Sequence, residues 1–319
     1  MIANETAGWS DFRSWEDLAL VRARLDAGAD PNEGTYSFER PLHAAAERGS
    51  PEVVAELAGR VDDVDAECEG RTALWDAVFN DRPENARALV AAGADPWRPM
   101  MGDWSPGRLS LAGPTPGQFF PFPPGHAGLS EAEAAAVTEA DRLTGALGDA
   151  LAWDGFSLAC VGGISAAEAA RRLAAEPSGQ EELEEIMDDP SDEEAMLFIG
   201  LTDVPGGCVV SQQWGYMAST PVVMKTLSAG TVAYGMYANP KSGNQGSVYR
   251  DGDVVAWDTH PGGGNASSDD PAEEILLTYL YEGHAEAYCF AGAGLHPADT
   301  RALTDPDTHL RLPERDYWH

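Results

Sequence analysis

Four stretches of the chain carry side chains whose types and spacing could do chemistry. His284-Ala-Glu286 has the His-x-Glu spacing of a zinc deaminase, with the histidine on the metal and the glutamate moving protons. That chemistry also needs Pro-Cys-x-x-Cys downstream, and only Cys289 lies beyond it. A helix-terminal histidine is the better reading. Asp258-Thr-His260 could be half of a hydrolytic triad, with Ser211 or Cys208 as nucleophile. No Gly-x-Ser-x-Gly elbow occurs, however, and the apolar run around Cys208 favours an inert, buried thiol. Pro261-Gly-Gly-Gly264 could cradle a phosphate, but it opens no helix and has no lysine or arginine nearby. Asp62, Asp63 and Asp65 lack the glycine and glutamate spacing of a calcium loop and read as solvated acids. The four cysteines (Cys68, Cys160, Cys208 and Cys289) are too scattered for a structural zinc site or a disulfide scaffold. We therefore expect no catalytic residue, no metal and no cofactor.

A second set of candidates is aromatic. Trp214, Tyr216, Tyr234 and Trp257 fall on strands and turns of the second half, where they could line a small-ligand pocket. In the first third, Tyr36, Phe38, Asp76, Phe79, Trp97 and Trp104, with Met100 and Met101, fall at turn tips and helix faces. Aromatic and methionine-rich tips suit the anchoring of a protein partner. The competing reading is that they pack against the second half of the chain.

The elements that must hold the first-third residues form a repeat. Gly28-Ala-Asp-Pro-Asn32 recurs as Gly93-Ala-Asp-Pro-Trp97, with Gly59-Arg-Val-Asp-Asp63 as a degraded copy between them. Pro41-Leu-His-Ala-Ala-Ala-Glu-Arg-Gly49 matches Thr72-Ala-Leu-Trp-Asp-Ala-Val-Phe79, and Leu42 and Leu74 lie 32 residues apart. Ser50-Pro51 supplies an N-cap and a first-turn proline, and Gly28 and Gly93 sit where helices end in a left-handed residue. These residues resemble an ankyrin-repeat array over 11–112, at a period near ~33 residues. The resemblance implies binding of proteins through finger tips and first-helix faces. Trp75 stands where His43 stands in the preceding repeat, so its opening turn must pack differently. Gly107-Arg-Leu-Ser-Leu-Ala112 reads as a fourth repeat cut short, so the array should lean on the chain beyond it.

Five prolines among residues 113–125 exclude a helix or a central strand, and Phe119, Phe120 and Phe122 make this linker (113–128) too apolar for a free tether. A second domain covers 129–319. Ser130-Glu-Ala-Glu133, Ser165-Ala-Ala-Glu168 and Asp270-Pro-Ala-Glu273 are capping boxes heading three helices. Strand patterns run from Phe156, Cys208 and Thr231, and Asp251-Gly252 reads as a hairpin turn. The fold class expected is α+β: ankyrin-like helical repeats, then an antiparallel sheet of four or five strands with helices on one face. Residues 181–194 pack nine acids without a base and read as a mobile, solvated segment. The Gly-Ile-Ser165 helix start, the Trp214-Gly-Tyr216 turn and the Arg250-Asp-Gly-Asp253 strand pair resemble an uncharacterised actinobacterial α+β family. That resemblance covers roughly 156–258 and implies no activity.

Composition narrows the function. Among 319 residues stand 53 acids and 20 bases, a net charge of −33. Residues 1–112 hold 21 acids and 11 bases, leaving 32 and 9 for the rest. Such a field repels phosphate backbones and anionic membranes and speeds encounter with a basic protein. No run is apolar and long enough to span a membrane, and no secretory leader is visible, so a cytoplasmic bacterial protein is expected. The leading reading is a non-enzymatic interaction module, a scaffold or regulator, in its sharpest form an immunity- or antitoxin-like binder of a basic partner. The alternative is a small-ligand sensor or enzyme with its site on the sheet. The oligomeric state is not legible.

Overall fold

The computed structural model describes residues 8–34, 40–125, 128–148, 155–179, 182, 195–264 and 266–319, with Asp258 as backbone only. Tyr36, Phe38 and all of 181–194 except Glu182 lie outside the described residues. In chain order the helices are α1 (Leu18–Asp26), α2 (Pro41–Arg48), α3 (Pro51–Ala58), α4 (Ala73–Phe79), α5 (Pro83–Ala91), α6 (Pro106–Leu109), α7 (Glu131–Leu147), α8 (Ala166–Leu173), α9 (Pro221–Leu227), α10 (Ala272–Leu280), α11 (Ala285–Gly292) and α12 (Arg301–Thr304). The strands are β1 (Ser157–Gly162), β2 (Glu176–Pro177), β3 (Phe198–Val204), β4 (Gly207–Gln212), β5 (Val232–Asn239), β6 (Gly243–Arg250), β7 (Asp253–Thr259) and β8 (Thr308–Arg311). They form two compact units, one of Met1–Val137 with Ala266–Leu280, the other of Thr138–Asn265 with Tyr281–His319.

The first unit is the repeat array. Its helices are short, seven to nine residues from α1 to α5, too short to persist alone, so their stability comes from stacking. Ser50 Oγ accepts from Val53 N and Thr72 Oγ1 from Trp75 N, capping α3 and α4. Gly28 and Gly93 carry the positive φ that their place after a helix requires. Polar ties link successive repeats. The His43 Nε2 atom lies 3.1 Å from Arg71 O, and Asn85 Nδ2 donates to the carbonyls of Ala45, Ala46 and Gly49. In the inter-repeat loops, Asp30, Asp63 and Asp95 each accept from the N–H two residues on, and Asp65 reaches Asp95 N. Of the three acids with calcium-loop potential, Asp63 and Asp65 thus brace this backbone. Trp75 is fully buried, and its indole N–H has no hydrogen-bond partner among the described residues. The second repeat has therefore exchanged the polar tie of His43 for apolar packing.

Both ends of the array are closed by residues outside the period. Trp9, Phe12 and Trp15 interlock at ring distances of 4.7–5.5 Å ahead of α1, and Trp9 Nε1 donates to Asp30 O. At the other end α6 spans four residues, and α10, contributed from far down the chain, lies in the same core. Trp104 Nε1 donates at 3.0 Å to Ala272 O, 168 residues on, and Phe79 meets Tyr279 at 5.6 Å. The helix headed by Asp270 thus completes the truncated repeat instead of joining the sheet. The Asp270 carboxylate accepts from Ser267 N, outside the expected capping box. Phe119 and Phe120 of the proline-rich segment are buried in this core as well.

The second unit is one antiparallel sheet of eight strands, in the order β2-β8-β3-β4-β1-β5-β6-β7. That exceeds the four or five expected, because β2 and β8 are too short to show an alternation and β3 comes directly after the acidic segment. β1 is buried along its whole length, which explains its unbroken apolar run. Ala159, Val161, Val210 and Ala233 share a core with α8 and α9. On the opposite face α11 crosses β1 and β5, where Gly292 lets the Tyr234 ring approach and Tyr288 packs on it at 5.8 Å. The α+β class holds, and the sheet is covered more fully than the capping boxes implied. Glu139 of α7 bonds both Arg142 and His296, and the Arg142 guanidinium holds its carboxyl down at about 2.

Candidate functional site

On the repeat unit, the structure separates the predicted partner-binding residues. Asp76 is buried and pairs with Arg71 Nε at 3.1 Å. Phe79 is buried under Tyr279, and Trp104 is 1 % exposed beneath α10. These three hold the array together, which is the packing reading, although the cover comes from α10 and not from the sheet unit. Met101 is buried with them. Among Asp76, Phe79, Trp97 and Trp104, Trp97 of the third finger is the least covered. Trp97 is half-buried, its N–H held by Asp95, with exposed Phe122 edge-on to it at 5.8 Å. Beside it Arg98 of this finger pairs with Glu67 of the preceding one at 2.5 Å. Phe122 was visible in sequence only as part of a proline-rich segment.

On the sheet unit, the four aromatic candidates do not form one pocket. Tyr234 is buried behind α11, and Trp257 stands 59 % exposed on the edge strand β7. Trp214 and Tyr216 share the turn that leaves β4. Gln212, buried at the end of that strand, holds the turn: its Nε2 donates to Met196 O and Phe198 O, and its Oε1 accepts from Met217 N at 2.8 Å. Gly155 and Gly215 both have positive φ, Gly215 N donates to Gly155 O, and the Trp214 ring lies across Gly155, where a Cβ would touch it at 3.4 Å. Tyr216 then meets Tyr237 of β5 at 6.0 Å and 80° and Trp318 at 5.4 Å and 47°. Trp214, Tyr216 and Trp318 are 48 %, 36 % and 51 % exposed. Sequence reading missed Tyr237 and Trp318. One sits on an ordinary alternating strand and the other in an irregular tail, so neither carried a signal. Gln212 did carry one, as an amide closing an apolar strand.

The catalytic candidates are dispersed. Cys208 and Ser211 are buried on β4, and burial pushes the Cys208 thiol up to about 12. His260 lies just past β7, four places across the sheet, or roughly 19 Å at ~4.8 Å per strand. Cys160 and Cys289 are buried with raised thiol pKa values. His284 occupies the N-cap position of α11, as a helix-terminal histidine should. Gly262, in the triple-glycine stretch, packs against the Ala285 backbone, where a Cβ would come within 2.6 Å of its nitrogen. Among the described residues no three His, Cys, Asp or Glu side chains gather as a metal site, and no helix is long and apolar enough to cross a membrane.

Comparison with known families finds two matches along the chain. Residues 13–100 match ankyrin repeats in three copies, and residues 132–274 match a family of unknown function, DUF6461. No curated protein matches the chain.

Proposed function

From a chain that carries three ankyrin repeats ahead of an uncharacterised domain, we propose a non-enzymatic interaction module whose partner is a basic protein. Ankyrin repeats indicate a protein partner. The observation that carries the reading further is the third finger, where Trp97 and Phe122 offer an aromatic anchor on a framework braced by Asp95 and Asp65. An anchor of this kind loses little side-chain freedom on binding. The excess of 33 negative charges supplies long-range attraction for a cationic surface. In its finer form this is a scaffold, regulator or immunity-like protein that neutralises a basic partner in the cytoplasm. The non-enzymatic part is supported by the buried thiols and by the separation of His260 from Ser211 and Cys208. The alternative is a small-ligand sensor or enzyme with its site on the sheet around Trp214, Tyr216, Tyr234 and Trp257.

The test is capture of the partner from the native host, then association kinetics across a salt series. Steering is screened over ~8–10 Å at physiological ionic strength, so the association rate should fall steeply with salt. Trp97→Ala should leave that rate alone and raise the dissociation rate. An acidic partner, or an association rate indifferent to salt, ends this reading. Trp104→Ala does not serve here, since that indole is an internal support.

A further inference from the structure

The rings of Tyr216, Tyr237 and Trp318 gather at one end of the central strands, with Trp214 on the same turn as Tyr216, and Trp214, Tyr216 and Trp318 are open to solvent. Exposed aromatic side chains on a mobile loop would mean little. Here the turn is pinned by the three hydrogen bonds of buried Gln212 and by two glycines in conformations that other residues avoid. The faces are thus presented at fixed angles, with Tyr216 steeply inclined to both of its neighbours. Aromatic faces are electron-rich and attract a cation within ~6 Å of the ring centre. Elsewhere in the molecule such faces are taken by the protein's own arginines: Arg24 lies over Phe12, Arg108 over Trp104, Arg311 over Phe198 and Arg315 over Tyr317. Among the described residues no arginine or lysine occupies the rings of this cluster in that way.

The charge around it has the matching sign. Asp316 accepts from Trp318 N at 2.7 Å, which places a carboxylate beside the exposed indole, and that hydrogen bond holds its pKa below the usual value. His319 Nδ1 stands 3.2 Å from the same carboxylate. The sequence from 113 onward carries 32 acids against 9 bases.

We propose that this cluster is a cation–π site for an alkylammonium group, the side chain of a lysine or methylated lysine on an exposed segment of a protein partner. The openness of the rings decides between a side chain and a free amine. Small-molecule sites enclose most of their ligand's surface, whereas an open platform leaves room for the backbone that carries a lysine. The site lies on the sheet unit and does not depend on the third finger of the repeats.

The experiment uses the full-length protein and three blocked tripeptides, acetyl-Gly-X-Gly-amide, with X as trimethyllysine, lysine or norleucine. Norleucine keeps the aliphatic stem and removes the charge. Titrations are monitored by the indole N–H resonances of Trp214 and Trp318, assigned by substitution. The trimethyllysine peptide should shift both resonances saturably, the lysine peptide more weakly and the norleucine peptide not at all. Tyr216→Leu and Trp318→Leu should each weaken binding about fivefold or more, whereas Trp257→Leu, at the exposed sheet edge, should leave it unchanged. Equal binding of norleucine would show an apolar surface without cation preference. Similar shifts of every exposed indole, insensitive to both cluster variants, would show diffuse charge attraction. Choline binding as tightly as the trimethyllysine peptide would assign the site to a free amine. Any of these results, or no shift at saturating peptide, overturns the proposal. Loss of binding to the repeat unit's partner on Trp97→Ala bears on the other reading alone.

Discussion

The two units reach a closed core by opposite routes. In the repeat unit, neighbours in space are also neighbours in period: Asn85 reaches back 36–40 residues to the preceding repeat, and Asp65 forward 30 to the next loop. In the sheet unit, β1 lies between β4 and β5 and β8 lies between β2 and β3, so chain order says little about pairing. The contrast reverses at the boundaries. The sheet ends in its own short or bulged strands, whereas the periodic array has two open ends that its period cannot cover. Three aromatic residues close one of them, and a helix from far down the chain closes the other. A repeat specifies its interior and leaves its ends to be solved elsewhere.

The largest effect should come from breaking that remote closure. Trp104→Ala removes a buried indole that both packs against α10 and donates to it, and should cost about 3–5 kcal/mol in denaturant unfolding. By the same reasoning a 1–112 fragment, which lacks α10, should aggregate or fail to unfold cooperatively. A fragment as stable as the intact chain would show that the array closes itself.

Two buried amides sharpen the comparison at the next scale. Asn85 in the array and Gln212 in the sheet unit each make three hydrogen bonds. Asn85→Ala removes three hydrogen bonds between repeats and should cost about 1–3 kcal/mol, with hydrogen exchange quickening across α2 to α5. Gln212→Leu should have a similar cost but a local signature, a loosened Trp214 turn read by its indole resonance. If its damage spreads through the sheet instead, the turn is part of the core and not a separately pinned feature.

Smaller still is the loss of a cap. Ser165→Ala, which removes the acceptor for Glu168 N at the start of α8, should cost about 1 kcal/mol. The smallest effect is that of pH on Glu139. Its folded pKa lies below its unfolded one, so the stabilisation is fully present above about pH 4.5 and is lost as pH falls toward about 2. The stability difference between the wild type and Glu139→Gln should shrink as pH falls through that window. A difference that grows on acidification would contradict the pairing with Arg142.

Much of the architecture was determined by the sequence itself, because its causes are local. A 32-residue spacing of Leu42 and Leu74, glycines after the helices, Ser50 before Pro51, the Ser130 box and the Ser165 cap all act within a turn or a repeat, and each is found in place. The burial of Cys208 was legible for the same reason, from the apolar run around it. What the tertiary structure alone decided is which aromatic residues are buried. Trp97 and Trp104 look alike in sequence, yet a helix that begins 168 residues beyond Trp104 covers that indole, whereas Trp97 stays half-buried. Tyr216 meets Tyr237 and Trp318 only because the turn after β4, strand β5 and the C-terminal tail converge. Exposure belongs to the folded chain: it depends on contacts between residues far apart in sequence, for which no local periodicity exists.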